Sequence, residues 1–328
     1  MTVSFATQAL ALDPLGHAEP LPLTERFFPA GFPLTLRTNA GEVLEAAREG
    51  WGEYEPAFET PPLELRVVVR GGGTTLPPEA AAGPVYRAQG HLLAIVLGPE
   101  NFAACDLDRG LGFAWLTPPI AADPLYTSFY FLDALAYACL TQQYLTPIHA
   151  ACVARGGEGI LLAGGPGAGK SSLAWACARA GLTYVCDDAS WLLRGAAEPT
   201  ILGKPQRLRF RPEALDLVPE LRGIPRLKTV IGKRSFEIRP ADVPGLATAR
   251  RCRAWRLVFL DRRDAGPAEL AAIDAEEAEG RLAALQPHYE TRVADEHAAS
   301  AARLVARGAQ VLRYGDLAGA VERILSLK

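Results

Sequence analysis

The chain has 328 residues, of which 49% are hydrophobic and 22% are charged, and its formal net charge is -3 at pH 7. This balance is typical of a globular protein of one or two domains and excludes a disordered chain. A net charge close to zero gives the molecule no overall basic field, so we predict that neither nucleic acid nor a membrane is a partner.

The cysteines and the apolar runs indicate the cellular compartment of the protein. Six cysteines are dispersed along the chain, and no pair has the C-x-x-C spacing of a metal or redox motif. We interpret them as small buried residues in a reducing environment. The N-terminus lacks the pattern of a secretory signal, and the apolar runs fall short of the ~20 residues that cross a bilayer. A cytoplasmic protein is the prediction.

In chain order, the N-terminal half is predicted to consist mainly of sheet. Residues 1 to about 30 are rich in Pro and Leu and predict an extended arm. Alternating apolar residues then predict strands at Leu34–Thr38, Leu63–Val69, His91–Leu97 and Phe102–Asp106, with one helix at Gly41–Glu49. Asp123-Pro124 predicts the start of a helix that continues to Leu140 and links the two halves.

The C-terminal half alternates strands with helices, which predicts a layered α/β domain. Two strands, Pro147–Val153 and Gly159–Leu162, are joined by a hairpin-like turn at residues 155–158. Further elements follow in the order helix Ser171–Arg179, strand Thr183–Cys186, strand Trp255–Leu260, helices Pro267–Leu285 and Thr291–Arg307, strand Gln310–Arg313, and a last helix capped by Asp316. We place the boundary between an N-terminal region, 1–145, and a second domain, 146–328.

A glycine-rich loop follows the strand Gly159–Leu162 and matches the pattern G-x-x-x-x-G-K-[ST]. Glycines let the backbone wind tightly, so that successive N–H groups point into one concavity and bind anionic oxygens. The following helix adds the positive end of its dipole. We predict a binding loop for the phosphates of ATP with Mg²⁺, formed by Gly164, Gly165, Pro166, Gly167, Ala168, Gly169, Lys170, Ser171 and Ser172.

Within this loop two side chains have specific predicted roles. Lys170 is expected to reach the β- and γ-phosphates, and the Ser171 hydroxyl to bind Mg²⁺. The choice between ATP and GTP stays open, because the base is recognised by scattered side chains.

Two strand ends offer carboxylates for the metal or for proton transfer. Asp187-Asp188 follow the strand Thr183–Cys186, and Asp261 follows Trp255–Leu260. Adjacent carboxylates close to a phosphate loop repel each other unless a cation lies between them. We therefore favour Asp187 and Asp188 as base and metal ligand, in an order that the sequence leaves open, and interpret Asp261 as a solvated strand end. His149 precedes the loop by one strand; a lone histidine among apolar residues is more often a core residue.

His149-Ala150-Ala151, the loop from Gly164 to Ser171, and Asp187-Asp188 together resemble the catalytic domain of the HPr kinase/phosphorylase family. The resemblance covers about residues 145–195. It implies an α/β fold similar to the nucleotide core of phosphoenolpyruvate carboxykinase. It also implies that His149 pairs with an aspartate and takes part in catalysis with Asp187, Asp188 and Lys170. The resemblance does not fix which aspartate is base and which is metal ligand; we take Asp188, with Ser171, as the metal pair.

The sequence departs from the family at two places, one at a second cation and one at the phosphorolysis loop. Ser172 stands where the bifunctional enzymes carry a glutamate, and their Gly- and Asn-bearing phosphorolysis loop is not recognisable in 200–250. The chain is more similar to HPr-kinase-related proteins, some of which are linked to peptide modification. The family forms hexamers, whereas no patch in this sequence specifies one, so a homo-oligomer stays open.

Two cationic segments have open interpretations. Residues 203–212 carry four cations. In a functional interpretation they close over the phosphates or bind an acidic acceptor, and in a structural one they form a solvated strand face. Residues 232–237 alternate like an edge strand, with Lys233 a weaker candidate for the γ-phosphate. His288-Tyr289 is interpreted as a helix terminus.

Three functions follow from these residues. The first is a kinase that phosphorylates a hydroxyl, preferably a serine of a protein or peptide, with the N-terminal half helping to select the substrate. The second is a nucleotide-dependent binding or regulatory module without transfer, against which an intact Asp187-Asp188 pair argues. The third is a small-molecule kinase, which the sequence alone does not separate from the first.

Overall fold

The computed structural model of the protein describes residues 19–71, 75–216, 218, 221–224, 227–228, 234–285 and 293–327. The chain divides into two compact units, Met1–Gln143 and Tyr144–Lys328. Both combine helices with mixed sheets, so the fold is α/β. Among the described residues, no helix combines the length and the apolar character that crossing a bilayer requires.

The first unit is built on one sheet with strand order β1-β2-β3-β7-β6-β5-β4. Strands β2, β3 and β7 are parallel to one another, and the remaining pairs are antiparallel. In the described part of this unit the elements are β1 (Leu23–Phe27), β2 (Leu34–Thr38), α1 (Gly41–Trp51), β3 (Leu63–Val69), β4 (Val85–Gln89), β5 (Leu92–Leu97), β6 (Asn101–Asp106), β7 (Leu111–Leu116), α2 (Pro118–Ala121), α3 (Pro124–Thr127) and α4 (Ala134–Gln143).

The strands predicted at Leu34–Thr38 and Leu63–Val69 are confirmed as β2 and β3. The predicted helix start is also confirmed, because the Asp123 carboxylate accepts a hydrogen bond from the Tyr126 amide at 2.9 Å. The extended arm is wrong over Leu23–Phe27, which pairs with β2 along its whole length. Residues 1–18 of that arm lie outside the described part of the chain.

The second unit carries a larger sheet with strand order β11-β9-β10-β17-β13-β12-β8, and β19 and β18 are added beside β17. In the described part of this unit the elements are β8 (Leu145–Ile148), β9 (Ala150–Arg155), β10 (Glu158–Ala163), α5 (Lys170–Arg179), β11 (Thr183–Cys186), β12 (Ser190–Leu193), β13 (Thr200–Gly203), β14 (Leu208–Phe210), β15 (Leu227–Lys228), β16 (Arg234–Ile238), β17 (Arg251–Arg262), β18 (Glu269–Ile273), α6 (Ala275–Leu285), α7 (Ala294–Val305), β19 (Ala309–Tyr314) and α8 (Leu317–Leu325).

Helices cover both faces of this sheet because the central strand β10 is apolar on both sides. Ile160 and Leu162 pack in a core that includes Leu173 of α5 and Ile324 of α8. The alternate residues of β10 pack in a second core with residues of α6 and α7. A strand buried on both faces, with a parallel neighbour in β17, is typical of layered α/β domains.

The predicted hairpin turn is confirmed between β9 and β10, in antiparallel register from Glu158↔Arg155 to Ala163↔Ala150. The single strand predicted over Pro147–Val153 is wrong, because the segment is divided at His149 between the end of β8, which pairs with β12, and the start of β9. Its two turn residues, Gly156 and Gly157, both have positive φ, 56° and 84°. A two-residue turn with positive φ at both positions matches the twist of the flanking strands and strongly favours glycine.

The helix predicted over Pro267–Leu285 is wrong in its first part. Glu269–Ile273 forms β18, an edge strand antiparallel to β19, and the helix α6 begins only at Ala275. The alanines that favour a helix are overridden here by the free edge of β19. The other predicted helix of this region is found at Ala294–Val305; Thr291 and the His288-Tyr289 terminus lie outside the described residues.

A third, small sheet carries the cationic segments in the order β14-β16-β15. The edge strand predicted over residues 232–237 is therefore wrong, because β16 is the central strand, paired with β14 on one side and β15 on the other. Lys233, the weaker candidate for the γ-phosphate, lies outside the described residues. Phe210 of β14 packs edge-on against Trp175 of α5, with 5.9 Å between ring centroids, so this sheet rests on the helix that follows the glycine loop.

Candidate active site

Three chain segments meet at one edge of the large sheet. Because β9 is antiparallel to both β10 and β11, the start of β9 lies beside the ends of the other two strands. Ala150 is in register with Ala163, so the residue before the first, His149, lies next to the residue after the second, Gly164. Strand topology thus brings the histidine, the glycine loop and Asp187-Asp188 together.

The glycine loop has the backbone geometry of an anion-binding concavity. Gly167 and Gly169 have φ of 86° and 90°, in the region that favours glycine, and α5 begins directly afterwards at Lys170. Within the described part of the chain, the main-chain amides of Gly167, Gly169, Lys170 and Ser171 donate to no protein acceptor. Free amides at the start of a helix are the groups that bind phosphate oxygens.

Lys170 lies at the centre of a hydrogen-bonded cluster. Its Nζ donates to the Gly164 carbonyl at 2.8 Å and lies 3.2 Å from His149 Nε2. Asp188 Oδ1 is 3.8 Å from Lys170 Nζ and 3.4 Å from His149 Nε2. Burial lowers the pKa of Lys170, and the charges of Asp188 and Asp187 counteract this effect. The cluster therefore holds a cation, an imidazole and a carboxylate within ion-pairing distance.

The two aspartates have different surroundings. The Asp188 side chain is 61% exposed, whereas Asp187 is half-buried. Loss of solvation and the negative charge of Asp188 raise the pKa of Asp187 to about 7, against an ordinary value of 3.8. Asp187 Oδ2 also accepts a long hydrogen bond, 3.4 Å, from the Arg209 amide. The pair thus presents one solvated carboxylate and one carboxyl that titrates near neutrality.

A cavity of about 560 Å³ opens in front of the loop. This volume lies within the ~300–1,000 Å³ range of small-molecule sites. Most of the residues predicted to bind the cofactor line it, namely Gly165, Pro166, Gly167, Gly169, Lys170, Ser171 and Ser172. His149 and Asp188 line the same cavity, whereas Asp187, the neighbouring carboxyl, does not line it. The remaining loop residues, Gly164 and Ala168, use their carbonyls inside the protein, as acceptors from Lys170 and Tyr314.

Three arginines contribute to the wall of the cavity. Arg209, Arg211 and Arg262 line the cavity. Arg209 is paired with Glu237, with Nε 3.0 Å from Oε2, whereas neither of the other two has a carboxylate partner among the described residues. Two of the four cations in residues 203–212, Arg209 and Arg211, thus line the cavity. This position agrees with the interpretation that the segment faces the bound phosphates or an acidic acceptor. Asp261 is instead paired with Arg313, 3.6 Å from Nε to Oδ2, and does not line the cavity.

Some residues at this site carry no local sequence signal. Arg262 follows Asp261 in a charged run, and it belongs to the end of β17. Tyr314 ends β19 and contacts the loop at the Ala168 carbonyl, without lining the cavity. Only the ladder between β17 and β19 brings both residues to this edge of the sheet.

Oxygen ligands for a divalent cation are present but few. The described residues contain no group of three or more His, Cys, Asp or Glu side chains placed to hold a metal ion. Mg²⁺ in phosphoryl-transfer sites, however, takes one or two protein oxygens and completes its shell with water and substrate phosphates. Ser171 and Asp188 both line the cavity beside the free amides, so the donor set fits Mg²⁺ bound together with phosphates.

No protein-family model matches the chain, and no curated protein matches it. Among solved structures, the Hpr(Ser) kinase/phosphatase from Coxiella burnetii matches over 55% of this chain and 89% of that chain, at 15% sequence identity and a TM-score of 0.31. Identity and TM-score at this level indicate a distant structural relationship and do not by themselves assign an activity.

Proposed function

We propose that the protein is an ATP-dependent kinase that transfers a phosphoryl group to a hydroxyl, preferably a serine of a protein or peptide. The observation that carries the proposal is the meeting of free loop amides, Lys170, His149 and Asp188 around one cavity. Phosphoryl transfer depends mainly on positioning and on electrostatic stabilisation of the phosphates, and these groups serve both needs.

In this proposal the loop binds the triphosphate of ATP. The amides of Gly167, Gly169, Lys170 and Ser171 supply donors, and the N-terminus of α5 supplies a favourable dipole. Lys170 already points its ammonium toward the cavity edge, where it contacts His149 and Asp188, and it would neutralise phosphate charge there. Arg211 and Arg262 add cations without carboxylate partners among the described residues.

The acidic pair divides two roles. We assign Asp188 with Ser171 to hold Mg²⁺, because both line the cavity. When bound, Mg²⁺ neutralises the phosphates and orients them for in-line transfer. Asp187 then accepts the proton of the attacking hydroxyl, since it is the other carboxylate at this strand end. His149 Nε2, 3.4 Å from Asp188 Oδ1, orients that carboxylate and offers an imidazole that can share the proton.

The preference for a serine in a protein or peptide rests on the motif resemblance at His149, Gly164–Ser171 and Asp187-Asp188. Acceptor pockets are built from scattered side chains, so small molecules with hydroxyls belong in the same assay. A binding module that uses ATP without transfer needs no paired carboxylates beside the γ-phosphate lysine, and the Asp187-Asp188 pair therefore favours the kinase.

The proposal is tested with ATP labelled in the γ-phosphate, supplied with Mg²⁺ to the purified protein and panels of serine-containing peptides, proteins and small hydroxyl compounds. Label transferred to at least one acceptor, and lost in Asp187→Asn and Asp188→Asn, is the expected result. Asp261→Asn is the matched control, because Asp261 also stands at a strand end but is paired with Arg313 outside the cavity.

Two outcomes would refute different parts of the proposal, the first the kinase activity and the second the roles of the carboxylates. Saturable binding of ATP with Mg²⁺ but no transfer to any acceptor or to water would establish the binding module instead. Full transfer by both Asp187→Asn and Asp188→Asn would leave the kinase standing but remove the assigned roles of the carboxylates.

A further inference from the structure

Tyr314, at the end of β19, makes a buried contact with the glycine loop. Its hydroxyl donates a hydrogen bond to the Ala168 carbonyl at 2.6 Å, and the residue is only 3% exposed. The ring packs in the core shared by α5, α8 and β10. A buried tyrosine hydroxyl requires a partner, and the phosphate loop supplies it.

The next residue of the loop, Gly169, approaches the same hydroxyl very closely. A Cβ atom at this position would clash with Tyr314 Oη, because it would lie closer than real Cβ atoms approach any heavy atom. Gly169 also has φ of 90°, which itself favours glycine. The Tyr314 hydroxyl therefore contacts two consecutive residues of the loop: it donates a hydrogen bond to Ala168 and packs against Gly169.

The position of Tyr314 is fixed by its own neighbours. The Arg263 amide donates to the Tyr314 carbonyl at 2.8 Å, which continues the parallel ladder between β17 and β19. The following helix α8 packs on α5. Arg155, at the end of β9, holds the end of α8 by donating to the carbonyls of Leu325 at 2.6 Å and Leu327 at 3.0 Å. The hydroxyl is thus presented by a rigid part of the unit.

We propose that Tyr314 is a positioning residue for nucleotide binding, acting through the loop without touching the nucleotide. Its hydroxyl keeps the Ala168–Gly169 segment in place, so that the amides of Gly169 and Lys170 point into the cavity before the phosphates arrive. Preorganised donors bind an anion without a further loss of conformational freedom. The inference rests on the proposed ATP binding, and it assigns to Tyr314, at the end of β19, the role of holding the binding loop in shape.

Removing the hydroxyl alone is the direct test. Tyr314→Phe keeps the ring in the core and deletes one hydrogen bond, whose net contribution corresponds to a factor of about two to ten in an equilibrium constant. We expect the Kd for ATP with Mg²⁺, measured by calorimetry, to rise by about this factor. Inorganic triphosphate, which offers only the groups that the loop binds, should lose affinity by the same factor.

Tyr126→Phe is the matched control. Tyr126 is also buried, 4% exposed, and its hydroxyl donates to a main-chain carbonyl, that of Ala80, at 3.3 Å, but it lies in the first unit. The control should leave both Kd values unchanged. A second measurement follows amide hydrogen exchange over residues 165–171 in nucleotide-free protein, which should be faster in Tyr314→Phe and unchanged in Tyr126→Phe.

The outcomes separate this inference from the proposed function. If the wild-type protein binds neither ATP nor inorganic triphosphate, the proposed function fails. If the wild type binds both, and Tyr314→Phe binds both equally well with unchanged exchange in the loop, the positioning role is refuted while ATP binding stands. In a transfer assay the positioning role predicts a higher KM for ATP at nearly unchanged kcat, whereas a general loss of folded protein lowers the apparent kcat alone.

Discussion

Replacing Gly169 by alanine perturbs the glycine loop in two separable ways. The first is backbone strain, because φ of 90° lies in the left-handed region, where an L-residue costs about 1–2 kcal/mol. The second is a steric clash between the new Cβ and Tyr314 Oη, while the nearest ring atom, Cζ, would be 3.6 Å away, an ordinary contact. Overpacking of this kind costs about 1–3 kcal/mol.

The clash involves the hydroxyl alone, so it disappears when Tyr314 is phenylalanine. In the wild-type background Gly169→Ala is therefore expected to make the binding conformation of the loop less favourable by about 2–5 kcal/mol. Where the free loop relaxes out of that conformation, binding of ATP with Mg²⁺ weakens by up to the same amount. In the Tyr314→Phe background only the strain of about 1–2 kcal/mol remains, which is roughly five- to thirtyfold. The two substitutions should thus couple by about 1 kcal/mol or more in a double-mutant cycle.

Calorimetric titration of the four proteins measures the cycle, and Gly167→Ala provides its control. Gly167 has a similar φ, 86°, but a Cβ there would have no heavy atom within 4 Å, so alanine introduces the strain without the clash. Its effect on Kd should be the same in both backgrounds. If Gly169→Ala also weakens binding equally in both backgrounds, the loop does not rest on the Tyr314 hydroxyl and the reasoning is refuted.

Three further predictions concern stability. Because the folded-state pKa of Asp187, about 7, lies above its ordinary value of 3.8, this carboxyl stabilises the fold below pH 4 and that contribution is lost as pH rises through 7. Between pH 5 and 8.5, measured in EDTA, the unfolding free energy of the wild type should therefore fall by about 1–2 kcal/mol more than that of Asp187→Asn, an amount reduced by the partial exposure of the carboxyl. If the unfolding free energies of the two proteins fell equally with pH, the raised pKa of Asp187 would be contradicted. Asp316→Ala removes the cap that accepts from the Gly319 amide at 2.7 Å and should cost about 1 kcal/mol in a urea titration, whereas an unchanged midpoint would show that the cap contributes nothing. Gly203→Ala would place a Cβ 2.6 Å from the Val185 carbonyl oxygen, so we expect a loss of about 1–3 kcal/mol and a lower Tm, and a Tm equal to that of the wild type would argue against this close approach.

Much of the second unit could be predicted from its sequence because the decisive signals are local. The glycine loop lies between an apolar strand and a helix, and Gly156-Gly157 supplies the backbone that a tight hairpin needs. The strand Thr183–Cys186 is found with the predicted bounds. In each case a few neighbouring residues determine the local conformation, so no knowledge of distant partners is required.

The prediction failed where a distant strand decides the conformation. Glu269–Ile273 favours a helix by its alanines but forms a strand because the edge of β19 offers unpaired main-chain groups. Leu23–Phe27 shows little periodicity, and its partner β2 makes it a strand. Arg262 and Tyr314 reach the candidate site through the ladder of β17 and β19, which joins residues about fifty positions apart. No local pattern encodes such a pairing.

His149 shows how topology changes the meaning of a single residue. Alone among apolar neighbours it resembles a core histidine, yet the register of β9 on β10 is set by the two-residue turn at Gly156-Gly157 and places Ala150 opposite Ala163. A slip of one residue in that hairpin would turn every side chain of β9 to the other face of the sheet. His149 would then leave Lys170 and Asp188, with which it now lies within 3.4 Å. The chemistry proposed for this edge of the sheet therefore depends on a glycine turn at the far end of the same hairpin.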